Sequence, residues 1–217
     1  MIIDLHLNEK SVIIVGAGNE ALKRIKLLAN EGCEIIVIGE KPIAEITKLS
    51  QKKKITLKKI KITSTSFLKK YKPFLVIAST TDSVLNQKIV QTAKKMKILA
   101  YASDSPDSSD ISYMSLIDIK KTIKVAISTS GSSPIMAKKI KSKTEKCLQK
   151  NISDQDIELI KIQKFARKES KKHILTQIER KKFLYELMND KRVKELLKDG
   201  KYKAIQTTIK KMVKDWK

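Results

Sequence analysis

Six consecutive residues, Gly16, Ala17, Gly18, Asn19, Glu20 and Ala21, carry the most specific chemistry in this chain. They spell G-x-G-x-x-A between the β-branched run at 11–16 and a segment of helical periodicity at 21–30. In such a turn the first glycine permits the tight reversal and the second lets backbone N–H groups approach an anion. A small residue at the sixth position lets the helix pack closely on the sheet. The helix N-terminus adds unpaired donors and a positive dipole end. The chemistry implied is the seating of a dinucleotide pyrophosphate. Glu40, at the end of the next strand, is placed to accept from adenosine ribose hydroxyls, which favours NAD over NADP; Lys41 beside it is the feature that would welcome a 2′-phosphate instead.

Two further polar clusters follow strand candidates. Thr80, Thr81, Asp82 and Asn86 come after the apolar run at 74–79, where ribose or nicotinamide contacts are made in this architecture. Helix capping is the alternative role, above all for Asp82. Ser128, Ser130, Gly131, Ser132 and Ser133 form a hydroxyl-rich glycine turn ahead of Pro134. It could seat a substrate carboxylate, or serve as the cap of a helix with Ser133 at N-cap and Pro134 at N1.

The elements that must position these residues alternate strand and helix. Runs at 11–16, 34–39, 55–62, 74–79 and 98–102 read as buried strands, separated by helical patterns at 21–30, 43–51 and 82–96. A strand, glycine turn, helix and strand in so short a span make a βαβ unit. The fold class expected is α/β: a Rossmann-type parallel-sheet domain over 1–111, a small central α/β region over 112–148, and a helical C-terminal domain over 149–217. The central region offers strand candidates at 112–117 and 123–128 and a helix from Pro134 to about Leu148. Beyond Asn151 the pattern is helical to Trp216, with breaks near Asn189-Asp190 and at Gly200, and Ser153 with Asp156 suggests a capping box.

Composition excludes several classes. Cys33 and Cys147 are isolated, so neither a disulfide framework nor a cysteine-based metal site is expected, and no metal ligands are assigned. No apolar run is long enough to span a membrane, and the N-terminal residues do not read as a secretory leader, which makes the cytoplasm the expected location. Lys and Arg total 47 against 23 acids, a formal charge of +24. That excess steers polyanions toward the chain. The scarcity of Arg argues against specific nucleic-acid recognition.

With these motifs in place, the chain resembles the precorrin-2 dehydrogenase family, the amino-terminal module of siroheme synthases, over roughly residues 5–145. The likeness rests on four ordered segments: 15–21 followed by Lys23-Arg24 and Leu27-Leu28; 77–82 with Asn86; Ser103-Asp104-Ser105-Pro106 followed by Asp110; and 126–134 with Ala137. It implies NAD-dependent oxidation of precorrin-2 to sirohydrochlorin, with Asp104 as the catalytic carboxylate. It also implies a homodimer built by the central region, C-terminal helices that help cover the tetrapyrrole cleft, and a substrate whose many carboxylates match a basic protein. Some relatives insert iron into sirohydrochlorin, and the residues here leave that activity open. Residues 100–103, Ile111 and Met114 depart from the family pattern near the cleft. The competing readings are a nucleotide-sensing Rossmann protein without catalysis and a basic nucleic-acid-binding module at 150–217.

Overall fold

The computed structural model describes residues 2–216. The chain divides into two compact units that meet in sequence between Tyr113 and Met114.

The first unit holds β1 (Ser11–Val15), α1 (Asn19–Leu28), β2 (Glu34–Ile38), α2 (Ala44–Gln51), β3 (Thr56–Lys58), α3 (Ser66–Tyr71), β4 (Leu75–Ala78), α4 (Ser83–Lys95) and β5 (Leu99–Ala102). The strands pair in parallel in the order β3-β2-β1-β4-β5. This Rossmann order reverses direction at β1, between β2 and β4, and ligands of such sheets bind beyond the carboxyl ends of the strands at that point. Alternate residues of a strand face opposite sides. Accordingly Val12 and Ile14 enter a core with Ala21, Ile25 and Leu28 of α1, and Ile13 and Val15 enter another with Ile89, Val90 and Ala93 of α4. All four strand residues are buried, which is why the run at 11–16 lacks polar alternation.

Some boundaries differ from the sequence reading. The expected strand at 55–62 is only Thr56–Lys58, because it is an edge strand with three residues opposite β2. Helix α3 follows it and carries no apolar stripe long enough to be read in advance, burying only Phe67 and Leu68. At the other edge, β5 is protected by the loop after it. Asp110 accepts from the Ala100 N–H (3.0 Å) and Ser109 Oγ from the Ala102 N–H (2.9 Å), so side chains replace a missing neighbour strand.

The second unit begins with the antiparallel hairpin β6 (Ser115–Ile119) and β7 (Ile123–Ile127). The first strand lies later than the expected 112–117. Its turn has no glycine, yet Lys120 and Lys121 both take positive φ (51° and 54°) and the Thr122 N–H closes onto the Ile119 carbonyl. Helices α5 (Pro134–Asn151), α6 (Asp154–His173), α7 (Gln177–Asn189), α8 (Lys191–Lys198) and α9 (Tyr202–Lys214) complete it. Ser153 and Asp156 form the full capping box at the start of α6. The helical core gathers Ile162, Ala166, Leu187, Ile205 and Ile209 around Phe183, whose ring meets Trp216 edge-on at 5.2 Å. Among the described residues no helix is long and apolar enough to cross a membrane.

Candidate functional site

The glycine turn joins β1 to α1. Gly16 sits at φ +114°, donates to the Ile38 carbonyl (2.8 Å), and leaves no room for a side chain: a Cβ would stand 2.4 Å from the Ser79 carbonyl oxygen. This glycine is demanded by the close approach of the chain leaving β1 to Ser79 at the end of the parallel neighbour β4. Gly18 differs. It is the N-cap of α1 in extended conformation, with nothing within 4 Å of where a Cβ would be. No side chain caps this helix, so its first-turn N–H groups are offered outward. The open space over Gly18 is a cradle that a side chain would fill and a pyrophosphate can occupy. Ala17 and Ala21 are buried beneath it. Asn19 is exposed, and Glu20 is held aside by Lys23 (3.2 Å) and Arg24 (3.9 Å), which offset a carboxylate that would otherwise repel an anion. Glu40 is exposed directly beyond the end of β2.

Next along the sheet edge, the residues after β4 form a closed network. Asn86 is fully buried in the first turn of α4. Its Oδ1 accepts from the Thr80 N–H (3.2 Å) and hydroxyl (2.7 Å), while its Nδ2 donates to the Thr80 carbonyl (3.1 Å) and to Asp104 Oδ2 (3.0 Å). Every hydrogen-bonding position of this amide is thereby used. Asp82 caps α4, accepting from the Leu85 N–H at 3.0 Å, the capping role weighed for it from sequence. Thr81 is exposed beside it.

Asp104 lies just past β5 and is exposed. Its slight burial pushes the carboxyl pKa up, but hydrogen bonds from the Asn86 and Ser83 side chains and from its own backbone N–H outweigh this and hold it below the ordinary value. At neutral pH it is a fixed anion facing solvent. The adjoining Ser103 Oγ is buried with no partner among the described residues. Sequence reasoning passed over Ser83 and Ser109 and met Ser103 only as part of a motif. An isolated serine carries no periodic signal, and only the fold shows that Ser83 bonds the Asp104 carboxylate while Ser109 guards the edge of β5. The pairing of Arg24 with two tyrosines was equally hidden. Its guanidinium donates to the Tyr101 hydroxyl (2.9 Å) and stacks over the Tyr113 ring at 4.2 Å. Burial pushes the Tyr113 hydroxyl pKa up to about 12 although Arg24 pulls it down.

An uncapped glycine turn and a positioned carboxylate thus share the carboxyl edge of one parallel sheet. The profile of an NAD(P)-binding family, NAD_binding_7, matches residues 3–115, just over half of the chain. Siroheme synthase of Buchnera aphidicola is 30% identical over 210 residues, covering 96% of this chain and 42% of that protein. Precorrin-2 dehydrogenase of Bacillus subtilis is 28% identical over 144 residues, 66% of this chain and 86% of its own length. The chain belongs to the NAD(P)-binding family of precorrin-2 dehydrogenases and siroheme synthases.

Family membership explains the sheet-edge arrangement and sets its limits. The chain spans between 29% and 44% of the length of the siroheme synthases it matches, those of Nitrosococcus oceani and Escherichia coli marking the two ends. The fold extends further: SirC, a precorrin-2 dehydrogenase of solved structure, superposes with a TM-score of 0.69 over 100% of both chains at 22% identity. The fold, a Rossmann-type parallel sheet followed by a C-terminal helical bundle, is therefore shared along the whole chain. The serine turn lies outside the family-matched segment. In it the Ser133 Oγ accepts from the Met136 N–H (3.2 Å), Ser128 Oγ accepts from the Ser130 N–H (3.0 Å), and Thr129 bonds Ser133 N–H and carbonyl (3.2 Å each). Ser130, Gly131 and Ser132 remain exposed.

Proposed function

We propose that the chain oxidises precorrin-2 to sirohydrochlorin with NAD as hydride acceptor. The observation that carries this reading is the Asp104 carboxylate, fixed by buried Asn86 at the same sheet edge as the open Gly18 cradle. The backbone at Gly16, Ala17 and Gly18 and the N–H groups of Asn19, Glu20 and Ala21 hold the pyrophosphate. Glu40 takes the adenosine ribose, its charge opposing a 2′-phosphate. Thr80, Thr81 and the capped start of α4 line the side toward the nicotinamide, with Asp82 and Asn86 shaping that wall through the backbone. When bound, NAD supplies the two-electron acceptor for the hydride leaving the macrocycle.

The accompanying proton must leave a pyrrole-derived position. Asp104, anionic and facing solvent, accepts a hydrogen bond from a pyrrole N–H, orients the ring and passes the proton on to water. Its lowered pKa suits an acceptor that does not stay protonated. Ser128, Ser130, Gly131, Ser132 and Ser133 are the proposed contacts for a substrate carboxylate. The precorrin-2 dehydrogenases among the relatives support the substrate, and the basic composition supports capture of a polycarboxylate. The working unit is a cytoplasmic homodimer joined through the region 112–148, with 149–217 as a helical domain.

The test is an anaerobic absorbance assay of the purified chain with precorrin-2 and either NAD or NADP. Turnover with NAD exceeding that with NADP, and a loss of at least about 100-fold in kcat for Asp104→Ala, are the expected results. No turnover with either cofactor overturns the assignment. Adding Fe²⁺ to sirohydrochlorin in the same preparation tests metal insertion separately.

A further inference from the structure

Helices α6 and α7 run past one another on either side of a hollow of about 730 Å³. Arg167 and Lys171 of α6 and Arg180 and Lys181 of α7 line it, and no carboxylate does. Leu184, Tyr185 and Met188 supply an apolar side. A second hollow of about 490 Å³ continues along α6 past Lys164 and Lys168.

Among the described residues the cations lining the hollow have no carboxylate partner, whereas three other lysines of the same helices do, and Lys181 rests over the Tyr185 ring at 6.0 Å. Glu158, Glu169 and Glu179 on the same two helices pair with Lys161 (2.6 Å), Lys172 (2.7 Å) and Lys182 (3.1 Å). Arg167, Lys171 and Lys181 have no ion pair among the described residues. Arg167 and Lys171 are one turn apart on one face, an arrangement that costs helix stability unless an anion lies between them. Arg180 is fixed in place, its Nη1 donating to the carbonyls of Ile174 (2.8 Å) and Leu175 (2.6 Å). Gln163 braces the two helices by donating to the Leu184 carbonyl (3.2 Å). Tyr185 is 64% exposed, a large ring left uncovered beside the cations.

We propose that this groove is a binding site for a planar, polycarboxylated macrocycle, the substrate class of the dehydrogenation. The occupant's identity rests on the precorrin-2 reading; the groove itself does not. Its volume is that of a small-molecule site. A flat ring lies against Leu184, Tyr185 and Met188 while carboxylates at its margin reach Arg167, Lys171 and Lys181. A nucleic-acid duplex, its bases already stacked, would use the cations and leave the apolar side unpaired. The site is built wholly within the helical unit, so it gives this class of ligand a foothold that the NAD-binding unit does not supply.

The experiment titrates the full chain with uroporphyrin I, an octacarboxylate porphyrin, following fluorescence for affinity and stoichiometry. R167E/K171E is expected to remove one binding equivalent per chain. Y185A should weaken that equivalent at least about threefold even in high salt, where pure charge attraction is screened. K69E/K95E, the same charge change on exposed lysines of the NAD-binding unit, should leave it unchanged. An unchanged stoichiometry in folded R167E/K171E overturns the proposal. Equal weakening by K69E/K95E overturns it too, since net charge would then be the whole effect. So does an RNA duplex bound with the same R167E/K171E loss and no dependence on Tyr185. NADH formation from precorrin-2 should persist in K69E/K95E. Its absence from the wild type as well would remove the dehydrogenase reading while leaving the porphyrin titration to judge the groove.

Discussion

Two glycine turns in this chain each lead into a helix, and they are built in opposite ways. At Gly16 and Gly18 there is no side chain and α1 has no side-chain cap, so the helix offers its N–H groups to whatever lies over Gly18. At Ser130–Gly131, both at positive φ (50° and 80°), the turn turns inward on itself. Ser133 caps α5, Pro134 removes one donor at N1, and Thr129 ties the loop closed. An anion site at a helix start therefore needs more than glycine and a dipole. It needs donors that the chain has left unsatisfied. By that measure the first turn has the open donors a seat requires and the second is first of all a cap.

The largest effect expected from breaking this contrast is at Gly16. Gly16→Ala must hold a side chain at positive φ against the Ser79 carbonyl, costing about 2–4 kcal/mol from strain and overpacking. Thermal unfolding should show a fall in Tm of several degrees. Gly131→Ala shares the positive φ but meets no atom within 4 Å, so its loss should be clearly smaller. Equal losses at the two glycines would mean that crowding at Ser79 is not what demands Gly16.

Asn86 comes next. Asn86→Ala strands the Thr80 N–H and withdraws the main hydrogen bond that lowers the Asp104 pKa, with a cost of about 2–3 kcal/mol for the buried amide. The sign of its pH dependence follows. A carboxylate with a depressed folded pKa stabilises the protein above its unfolded pKa, and that contribution is lost as pH falls through the folded value. The difference between wild type and Asn86→Ala should accordingly be larger at pH 7 than below the ordinary carboxylate range, in denaturant titrations at both. A difference independent of pH would show that Asn86 does not hold the charged form of Asp104.

Much of this was legible beforehand because it is written in continuous local patterns. Four buried strand residues in a row at Val12–Val15 can only be an interior parallel strand, and glycine ends it where a turn must come. The capping of α4 by Asp82 and of α5 by Ser133 was readable from one side chain and its following helix. What was not legible depends on residues far apart in sequence. Asp104 becomes special through Asn86, 18 positions earlier, and β5 is recognisable as a guarded edge only once Ser109 and Asp110 fold back onto it. The turn of the β6–β7 hairpin carried lysines at positive φ where glycine or asparagine would have marked it. The short edge strand β3 and helix α3 are held by the sheet and not by local preference, so no periodicity announces their limits.

Gly18→Val sharpens the contrast from the ligand side. The residue is neither strained nor crowded, so Tm should move by no more than about one or two degrees. The added side chain fills the cradle, and NAD affinity by calorimetry should fall about 10- to 100-fold, or roughly 1.4–2.7 kcal/mol. Unchanged affinity would remove the pyrophosphate from this turn.

The smallest effect is the most discriminating for the second turn. Ser133→Ala deletes the cap of α5 and should cost about 1 kcal/mol. If capping is the whole of its role, Ser133→Asp, which caps equally well, restores stability and leaves the KM for precorrin-2 unchanged. If the turn also receives a substrate carboxylate, the aspartate restores stability but raises KM, because it sets a negative charge where one must bind. Stability and KM therefore separate in one variant, and their separation decides whether the second turn is a cap alone or a seat that the cap leaves partly open.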